Sequence, residues 1–591
     1  MKIPFLSKDS KINLILIIFT ILCFLFQIFL IIQFKFLYEI LKTLFIIEFF
    51  LLILLFFKGI KEKKFIIFCI IFILIIRIPF YLHKHGLIFS SDNALEALQA
   101  QAIKDTKTAP FFLFEIMGHN GTLKYLLVAF VWDILGKNYL YFLLVQLLLF
   151  ILFTCLLYRI LKPIIDEKIL TIFIFSHFMF IEIVFNYSLF IRAGPYLEML
   201  VFFLIGVFLF DFTFENKIKI FLSYYFFLFS IYIHPVGLFF ALGFAAVAII
   251  YSIYSKKFLR NLTLMLGGSF AGAFHQLYYL FFKPKPPPTG EWYKIKILTP
   301  SSFSFNKIPQ YLTDLFVDIK IIFKNIFSLD YSSIINFIDS PGILTSINKA
   351  LIYFSLLILV CAIFIVILKC VSILRKNLNQ NQWVYLFFFI LLIIFILKVF
   401  LLSPKPFYEP RHNFDLTFII MLSYLITFSA ILKIKRFLSV KSILAFLLLL
   451  IFTLPHYYCY LKMTYIKENS YREILSILEN NKVKYLAGDF IIAYVIYFLS
   501  ERKILVSDSI GPVTIPFFYP QMKKRVDKIP RKHKAFIFFS ENYPHKKWHK
   551  QFTKIMKITI LNYLKKRKIK FKIYKLDYFT LIIPFPATCL Q

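Results

Sequence analysis

The sequence predicts a helical membrane protein with about thirteen transmembrane helices and a C-terminal α/β domain outside the membrane. Hydrophobic residues make up 60% of its 591 residues, and the mean hydropathy is +0.78. A water-soluble protein of this composition would lack the polar residues to cover its surface. Apolar runs long enough to cross a bilayer recur through residues 1–460, whereas residues 461–591 alternate short apolar strands with amphipathic helices.

The first 460 residues contain the predicted spans, each an apolar run of roughly 17 to 25 residues between polar connectors. In chain order they are residues 13–33, 36–57, 65–82, 139–161, 169–188, 195–212, 220–235, 236–255, 262–282, 350–370, 383–402, 414–432 and 442–460. The first run is too long for the apolar core of a cleavable signal and lacks a small-residue cleavage site. We therefore expect it to be a span.

Lysine and arginine are concentrated in alternate connectors, which begin at Lys58, Lys256, Leu374 and Lys433. The positive-inside rule places these connectors and the N-terminus in the cytoplasm. An odd number of spans then puts the C-terminal domain outside. We expect a multi-pass protein of a bacterial inner membrane, in which residues 83–138 and 283–349 form long outer loops and residues 461–591 form an extracytoplasmic domain.

The first outer loop, residues 83–138, begins with a polar segment, SSDNALEALQAQ, that is spaced like a short amphipathic helix. Ser91 or the serine before it is suited to cap this helix at its N-terminus. Asp92 and Glu96 lie one turn apart, so the helix presents two carboxylates on one face. Such a pair orients and deprotonates a hydroxyl when burial or a neighbour raises the pKa of the base.

A second helix is predicted later in the same loop, in the run GTLKYLLVAFVWDILG that starts at Gly121. The run is apolar, but it is short for a span and contains Asp133. We therefore expect a helix that lies in the membrane interface without crossing it.

Three outer turns together carry the candidate site residues. The candidate residues are Asp92, Glu96, Arg192, Glu198, Arg411 and His412. The arginines open spans at their outer ends, and a guanidinium fork is suited to hold a phosphate at the membrane surface. Each residue also has a nonfunctional interpretation. The acids would then lie at helix ends exposed to water, and each arginine would snorkel from the end of its span.

Several classes of function are excluded by composition and motif. The formal net charge is +37, but the lysines lie in connectors and form no basic stripe interleaved with aromatic residues, so nucleic-acid binding is not expected. The seven cysteines form no CxxC pair and no disulfide framework. No Walker or GxGxxG loop is present, so no nucleotide site is expected. A divalent metal ion remains an open alternative, because carboxylates bind such ions but no ligand spacing requires one.

The ordered series RIP, SDNALEALQA and MGHNGTLKYLLVAFVWDILGKN resembles the first outer loop of glycosyltransferases of the GT-C fold that use polyprenyl-phosphate sugars. This group includes the protein O-mannosyltransferases, the lipid A aminoarabinose transferases and the rhizobial lipopolysaccharide sugar transferases. IRAGPYLEMLVFFLIGVFLF, GGSFAGAFHQLYYLF and EPRHNFDLTFIIMLSYLI resemble core spans of the same group, and YLAGDFIIAYVIYFLSERKILVSDS resembles the start of its external domain. The series covers roughly residues 70–540.

The resemblance implies that Asp92 is the catalytic base and that Arg411 helps to hold the lipid phosphate of a polyprenyl-phosphate-linked sugar donor. Arg192 would assist Arg411, and Glu96 and Glu198 would position hydroxyls of the sugar or of a lipid, glycan or protein acceptor. Two positions depart from the family pattern. Asn93 replaces the second acid of the mannosyltransferases, and HNF follows Arg411 where an RY-and-proline pattern is common.

Two other functions are compatible with the sequence. A lipid or polysaccharide transporter or flippase would place paired charges or broken helices at mid-membrane and often shows an internal repeat. A noncatalytic membrane assembly protein would use the basic tail to bind anionic membrane lipids or another subunit. The acids of this chain are concentrated outside the spans and no repeat is evident, which favours the transferase.

Overall fold

The computed structural model describes residues 91–106, 121, 123–165, 170, 196–282, 309, 313, 342–375, 382–401, scattered positions within 418–430, and residues 468–510, 520–540, 547–576 and 579–585. Apart from Glu468 and Asn469, these residues belong to one compact unit formed by Phe89–Cys459 and Ser470–Gln591. The predicted spans at 13–33, 36–57, 65–82 and 442–460, and all of the span at 169–188 except residue 170, lie outside the described residues.

Both helices predicted for residues 83–138 are present. Helix α1 covers Ser91–Thr106 and helix α2 covers Leu123–Leu135. The two helices pack against each other. Helix α2 buries Tyr125 and Trp132 on one face, whereas Phe130 and Ile134 on the other face are exposed. An exposed apolar face of this kind is what an interfacial helix would offer to lipid.

Seven apolar helices follow in the described part of the chain. They are α3 (Tyr139–Leu161), α4 (Tyr196–Leu209), α5 (Lys217–Ile233), α6 (Gly237–Tyr254), α7 (Phe258–Phe282), α8 (Gly342–Arg375) and α9 (Trp383–Leu401). Their bounds lie within about four residues of the predicted spans, except that α8 extends from Gly342 to Arg375, beyond the predicted 350–370 at both ends. By length and composition, two stretches are able to cross a membrane, Leu144–Leu161 and Gly237–Tyr254. The total of about thirteen spans stays a prediction.

The centre of this bundle is aromatic. The ring of Phe203 in α4 lies 5.4 to 5.8 Å from the rings of Phe227, Phe240 and Phe387, which belong to α5, α6 and α9. Aromatic pairs at such distances add to the free energy gained by burial. One side chain therefore ties four helices together.

The bundle has two distinct ends. At the end called here the connector end, the turns at residues 210–216 and 255–257 meet, and Glu215 forms ion pairs with Lys257 and Arg260. At the opposite end, called here the site end, α4 begins, α5 ends, and the backbone N–H of Gly121 donates to the carbonyl of Ile233 at 3.1 Å. The loop that carries α1 and α2 is thus anchored at the site end.

The described C-terminal residues combine helices with a small sheet, as the alternating strand and helix patterns predict, and we call them the C-terminal domain; its bounds, residues 461–591, stay a prediction. Its elements are α10 (Glu468–Asn480), β1 (Tyr485–Ala487), α11 (Phe490–Leu499), β2 (Leu505–Ser507), α12 (Pro520–Lys528), a 3₁₀ turn (Arg531–His533), β3 (Ala535–Phe539), α13 (Lys547–Lys566), β4 (Phe571–Lys575) and β5 (Phe579–Pro584). The sheet order is β2-β1-β3-β5-β4. Strands β2, β1 and β3 are parallel, whereas β5 runs antiparallel to β3 and β4. The protein is thus mostly helical, with a small mixed sheet.

Helix α11 of this domain packs directly against α1. The domain and the helix that carries Asp92 therefore lie at the same end of the bundle. Which side of the membrane this end faces stays a prediction.

Candidate active site

The middle of helix α1 is enclosed on every face. Residues 94–100 are all buried, which spans nearly two turns of the helix. Asp92 lies in the first turn, four residues before Glu96, so the two positions share one helix face. The carboxylate pair predicted from the sequence is thus located on a helix that the rest of the protein surrounds.

A lysine lies between two buried carboxylates at the site end. The ammonium nitrogen of Lys124 in α2 is 2.7 Å from Oε2 of Glu96 and 3.1 Å from Oε1 of Glu198 in α4. All three side chains are 2% exposed. We call Glu96, Lys124 and Glu198 the buried triad. It joins three separate elements of the chain through one ammonium group.

The surroundings of the triad are aromatic. The hydroxyl of Tyr125 donates to Oε1 of Glu96 at 3.0 Å. The Lys124 nitrogen lies 5.4 Å from the ring centroid of Phe142 and 5.6 Å from that of Tyr125, within reach of cation–π attraction. No described residue donates a hydrogen bond to Oε2 of Glu198. A single ammonium and a single phenol thus serve two buried carboxylates.

The protonation of the triad follows from its burial. Burial raises the pKa of Glu96 from 4.5 to about 7, although Lys124 and the Tyr125 hydroxyl act in the opposite direction. Burial alone would lower the pKa of Lys124, but Glu198 and Glu96 outweigh it and raise the pKa above 10.5. Lys124 is therefore held charged, while Glu96 titrates near neutral pH.

Further contacts fix α1 against α2. The ammonium of Lys104, in the last turn of α1, donates to the backbone carbonyl of Trp132 at 2.9 Å. The indole N–H of Trp132 donates to the carbonyl of Asn138 at 2.8 Å. The Trp132 carbonyl also accepts from the backbone N–H of Gly136 at 3.1 Å, and a cation at the C-terminal end of a helix interacts favourably with the helix dipole. The two helices therefore form one rigid layer over the site end of the bundle.

The structure brings together only part of the site predicted from the sequence. Glu96 and Glu198, predicted from two distant outer turns, meet through Lys124, and Asp92 lies one turn away from Glu96. Arg192, Arg411 and His412 lie outside the described residues. The roles assigned to these six residues stay predictions.

Lys124 and Tyr125 were not predicted as site residues. The lysine is the first charge within the apolar run KYLLVAFVW, where hydropathy treats it as a helix-end residue. The feature that could have pointed to Lys124 is the pair of carboxylates on other elements, because buried acids require a buried cation. Among the described residues, no three His, Cys, Asp or Glu side chains are grouped to hold a metal ion. Between Glu96 and Glu198, Lys124 supplies the positive charge.

Comparison with solved structures gives matches over most of the chain, three of which are described here. The oligosaccharyltransferase AglB from Archaeoglobus fulgidus, in complex with an inhibitory peptide and a dolichol-phosphate, has a TM-score of 0.44 and 9% identity, over 80% of this chain and 69% of that one. ArnT from Cupriavidus metallidurans, bound to undecaprenyl phosphate, has a TM-score of 0.44 and 11% identity, over 88% and 98%. The Archaeoglobus fulgidus oligosaccharyltransferase in complex with Zn and sulfate has a TM-score of 0.42 and 10% identity, over 80% and 67%.

These neighbours are GT-C proteins, the fold that the sequence resemblance implies. No family model and no curated protein matches the chain. At this level of similarity, the likeness assigns no ligand and no residue role to this protein.

Proposed function

We propose that the chain is a membrane glycosyltransferase that moves a sugar from a polyprenyl-phosphate donor to an acceptor hydroxyl on the extracytoplasmic face. The observation that supports it best is the placement of Asp92 on an enclosed helix, one turn from a buried triad, at one end of an apolar bundle. A carboxylate placed beside such a bundle can meet a reactive group carried there by a lipid. The motif series of the sequence points to the same chemistry.

The proposed reaction is a single displacement with inversion at the anomeric carbon. Asp92 takes the proton of the acceptor hydroxyl, and that oxygen forms a new bond to the anomeric carbon. The bond between the anomeric carbon and the donor phosphate oxygen breaks, and the electron pair leaves with the polyprenyl phosphate. In this scheme, Arg411 and Arg192 stabilise the negative charge that develops on the departing phosphate.

Glu96 and Glu198 are proposed to act through the structure around Asp92. Both are 2% exposed and both contact Lys124, so neither presents a free oxygen to solvent in this conformation. Direct contact with sugar hydroxyls, as the sequence suggested, would require the triad to open. Their arrangement favours a positioning role, in which the triad holds α1 on α2 and α4.

The deciding experiment is sugar transfer by Asp92→Asn protein, assayed with a panel of polyprenyl-phosphate sugars in nanodiscs. We expect a loss of at least about a hundredfold, typical for removal of a general base. Asp133→Asn is the matched control, because Asp133 is an exposed carboxylate in the same loop. Near wild-type transfer by folded Asp92→Asn protein would remove Asp92 as the base.

A second assay separates transferase from transporter. Wild-type protein in proteoliposomes should consume the donor and label an acceptor without moving intact donor lipid across the bilayer. Movement of labelled donor lipid, with no transfer to any acceptor, would contradict the proposal and favour a flippase.

A further inference from the structure

The C-terminal domain contacts helix α1 on the face opposite the triad. The guanidinium of Arg502, which follows α11, lies with Nη1 3.1 Å from Oδ2 of Asp105 and with Nη2 3.4 Å from the carbonyl oxygen of Leu98. Leu98 and Asp105 are seven residues apart and so share one face of α1. One side chain of the domain thus contacts two successive turns of the helix.

The contacts of α1 with the triad and with Arg502 lie on opposite faces of the helix. At about 100° per residue, Asp105 is about 180° and Leu98 about 200° around the helix axis from Glu96. Glu96 is held by Lys124 of α2, while Arg502 holds the other face. Asp92 shares the helix face of Glu96. The contacts with the C-terminal domain lie on the opposite face, and they keep the face of Asp92 and Glu96 directed toward the site end of the bundle.

The turn that carries Arg502 is strained. Glu501 and Arg502 have φ values of 53° and 65°, a left-handed conformation that costs a residue with a side chain free energy. The turn is nevertheless closed by hydrogen bonds from the Arg502 N–H to the Tyr497 carbonyl at 2.9 Å and from the Lys503 N–H to the Ser500 carbonyl at 3.0 Å. A fixed turn of this kind sets the direction in which the Arg502 side chain leaves the domain.

A second contact joins the same two parts of the chain. The ammonium of Lys137, in the turn between α2 and α3, lies 5.2 Å from the ring centroid of Phe498 in α11. Phe498 is 5% exposed. The domain therefore contacts both α1 and the end of α2, the two helices that the triad joins.

We propose that the C-terminal α/β domain is a structural part of the active site, with Arg502 as the positioning residue that fixes the helix bearing Asp92. This rests on the proposed function in one respect, that Asp92 acts in the reaction. The Asp105–Arg502 pair is partly exposed, at 48% and 28%, and such pairs add little to global stability. Its effect is expected on the order of α1 and on turnover.

The first test is hydrogen exchange of peptides from residues 91–106 in the full-length protein in nanodiscs. We expect Arg502→Ala to raise exchange of these peptides severalfold while peptides from α6 keep their wild-type rates. Asp105→Ala should give the same increase, and the double variant should add nothing further, since both changes remove one interaction. Lys503→Ala, at an exposed neighbour in the same turn, is the matched control and should leave α1 unchanged.

The second test is the kinetics of sugar transfer. We expect Arg502→Ala to lower kcat at least about threefold with KM for the donor within about twofold, because a misdirected base slows the chemical step without loosening the substrate. The exchanged pair, Asp105→Arg with Arg502→Asp, should recover kcat and α1 protection, and Arg502→Lys should recover them in part. Rescue by exchange is not expected of a residue that merely stabilises its own domain.

The two assays separate the two proposals. Unchanged exchange of α1 in both Arg502→Ala and Asp105→Ala would overturn the positioning role, whatever the activity. Absence of sugar transfer in the wild-type protein would overturn the proposed function, while the exchange data would still decide whether the domain orders α1.

Discussion

At the scale of single residues, the buried triad explains why Lys124 is located in an otherwise apolar run. A buried carboxylate without a partner is costly, and two of them on separate elements demand a cation. Lys124 meets both and ties α1, α2 and α4 together. The same geometry gives two predictions that need no substrate.

Lys124→Met should destabilise the protein by about 3–5 kcal/mol, because it leaves two carboxylates buried without a cation. The measurement is thermal unfolding in detergent. The matched control adds Glu96→Gln and Glu198→Gln to the same chain, and the neutral triad should regain most of the lost stability. An Lys124→Met protein as stable as wild type would contradict the structural role of the triad.

Stability should also depend on the proton of Glu96. Its folded-state pKa of about 7 lies above the ordinary 4.5, so the folded protein binds this proton more tightly than the unfolded chain between those values. The contribution to stability is full at pH values below 4.5 and is lost as the pH rises to about 7, by up to about 3 kcal/mol.

This dependence is measured as the difference in unfolding temperature between wild type and Glu96→Gln from pH 5 to pH 8. Wild type should lose stability relative to the variant as the pH rises. A difference that is flat across this range, or that grows in favour of wild type, would contradict the raised pKa of Glu96.

At this scale, the sequence singled out Glu96 and Glu198 but not how they are paired. Glu96 and Glu198 were found because polar groups in outer turns of an apolar chain are rare. Lys124 was missed because pairing depends on contacts between residues far apart in the chain, which no local pattern records. The helix of Asp92 was predicted as amphipathic, yet residues 94–100 are all buried. The triad encloses the face of Glu96, and the C-terminal domain, whose Arg502 is 397 positions from Asp105, covers the opposite face.

At the scale of helices, hydropathy located the described apolar helices well because an apolar run long enough to cross a bilayer is also long enough for a stable helix. Helix α3 covers Tyr139–Leu161, the predicted bounds. Helix α8 starts earlier than predicted because it continues into the polar segment GILTSINK, which a hydropathy criterion leaves out. Hydropathy does not predict where two helices approach closely, because that depends on which glycine faces the neighbouring helix.

Helices α5 and α7 approach closely through Gly268 and Gly272, a spacing typical of tight helix pairs in membranes. A Cβ on Gly268 would collide with the backbone carbonyl oxygen of Phe221, whereas a Cβ on Gly267 would stand 3.6 Å from the Phe221 ring. The amide of Gln276 adds a hydrogen bond to the Ile231 carbonyl at 3.1 Å.

We therefore expect Gly268→Ala to destabilise the protein by about 1–3 kcal/mol, the usual cost of overpacking. Gly267→Ala should be neutral or slightly stabilising, because alanine favours helix over glycine by about 1 kcal/mol. Thermal unfolding of the two variants side by side checks this. Equal effects would show that the contact between α5 and α7 is looser than described.

At the scale of the whole molecule, the fold class of the C-terminal domain was predicted from alternating strand and helix patterns, but the sheet order was not. The strands from Tyr485 to Phe539 are parallel, and the last two form a hairpin that makes the sheet mixed. Strand order depends on contacts across the domain, and a single sequence carries little information about them. The contact of the domain with α1 was likewise beyond the sequence.

The two ends of the bundle give a test of membrane topology. Lys256 lies at the connector end and Lys532 lies in the domain at the site end, and both are exposed. In a cysteine-free background in intact cells, a membrane-impermeant maleimide should modify the Lys532→Cys protein. The Lys256→Cys protein should react only after permeabilisation, because its connector is predicted to be cytoplasmic.

The reverse labelling pattern would invert the topology, and labelling of both variants from one side would contradict the separation of the two ends. The reverse pattern would also move Asp92 away from an extracytoplasmic acceptor.

The contact of Arg502 with α1 has a consequence for biogenesis. Its two ends, Asp105 and Arg502, are 397 positions apart, so a ribosome must synthesise all the residues between them before this contact can form. Nascent chains that are already inserted in the membrane would hold α1 without its second support. Chains that end before residue 502 would lack this support and should transfer sugar more slowly.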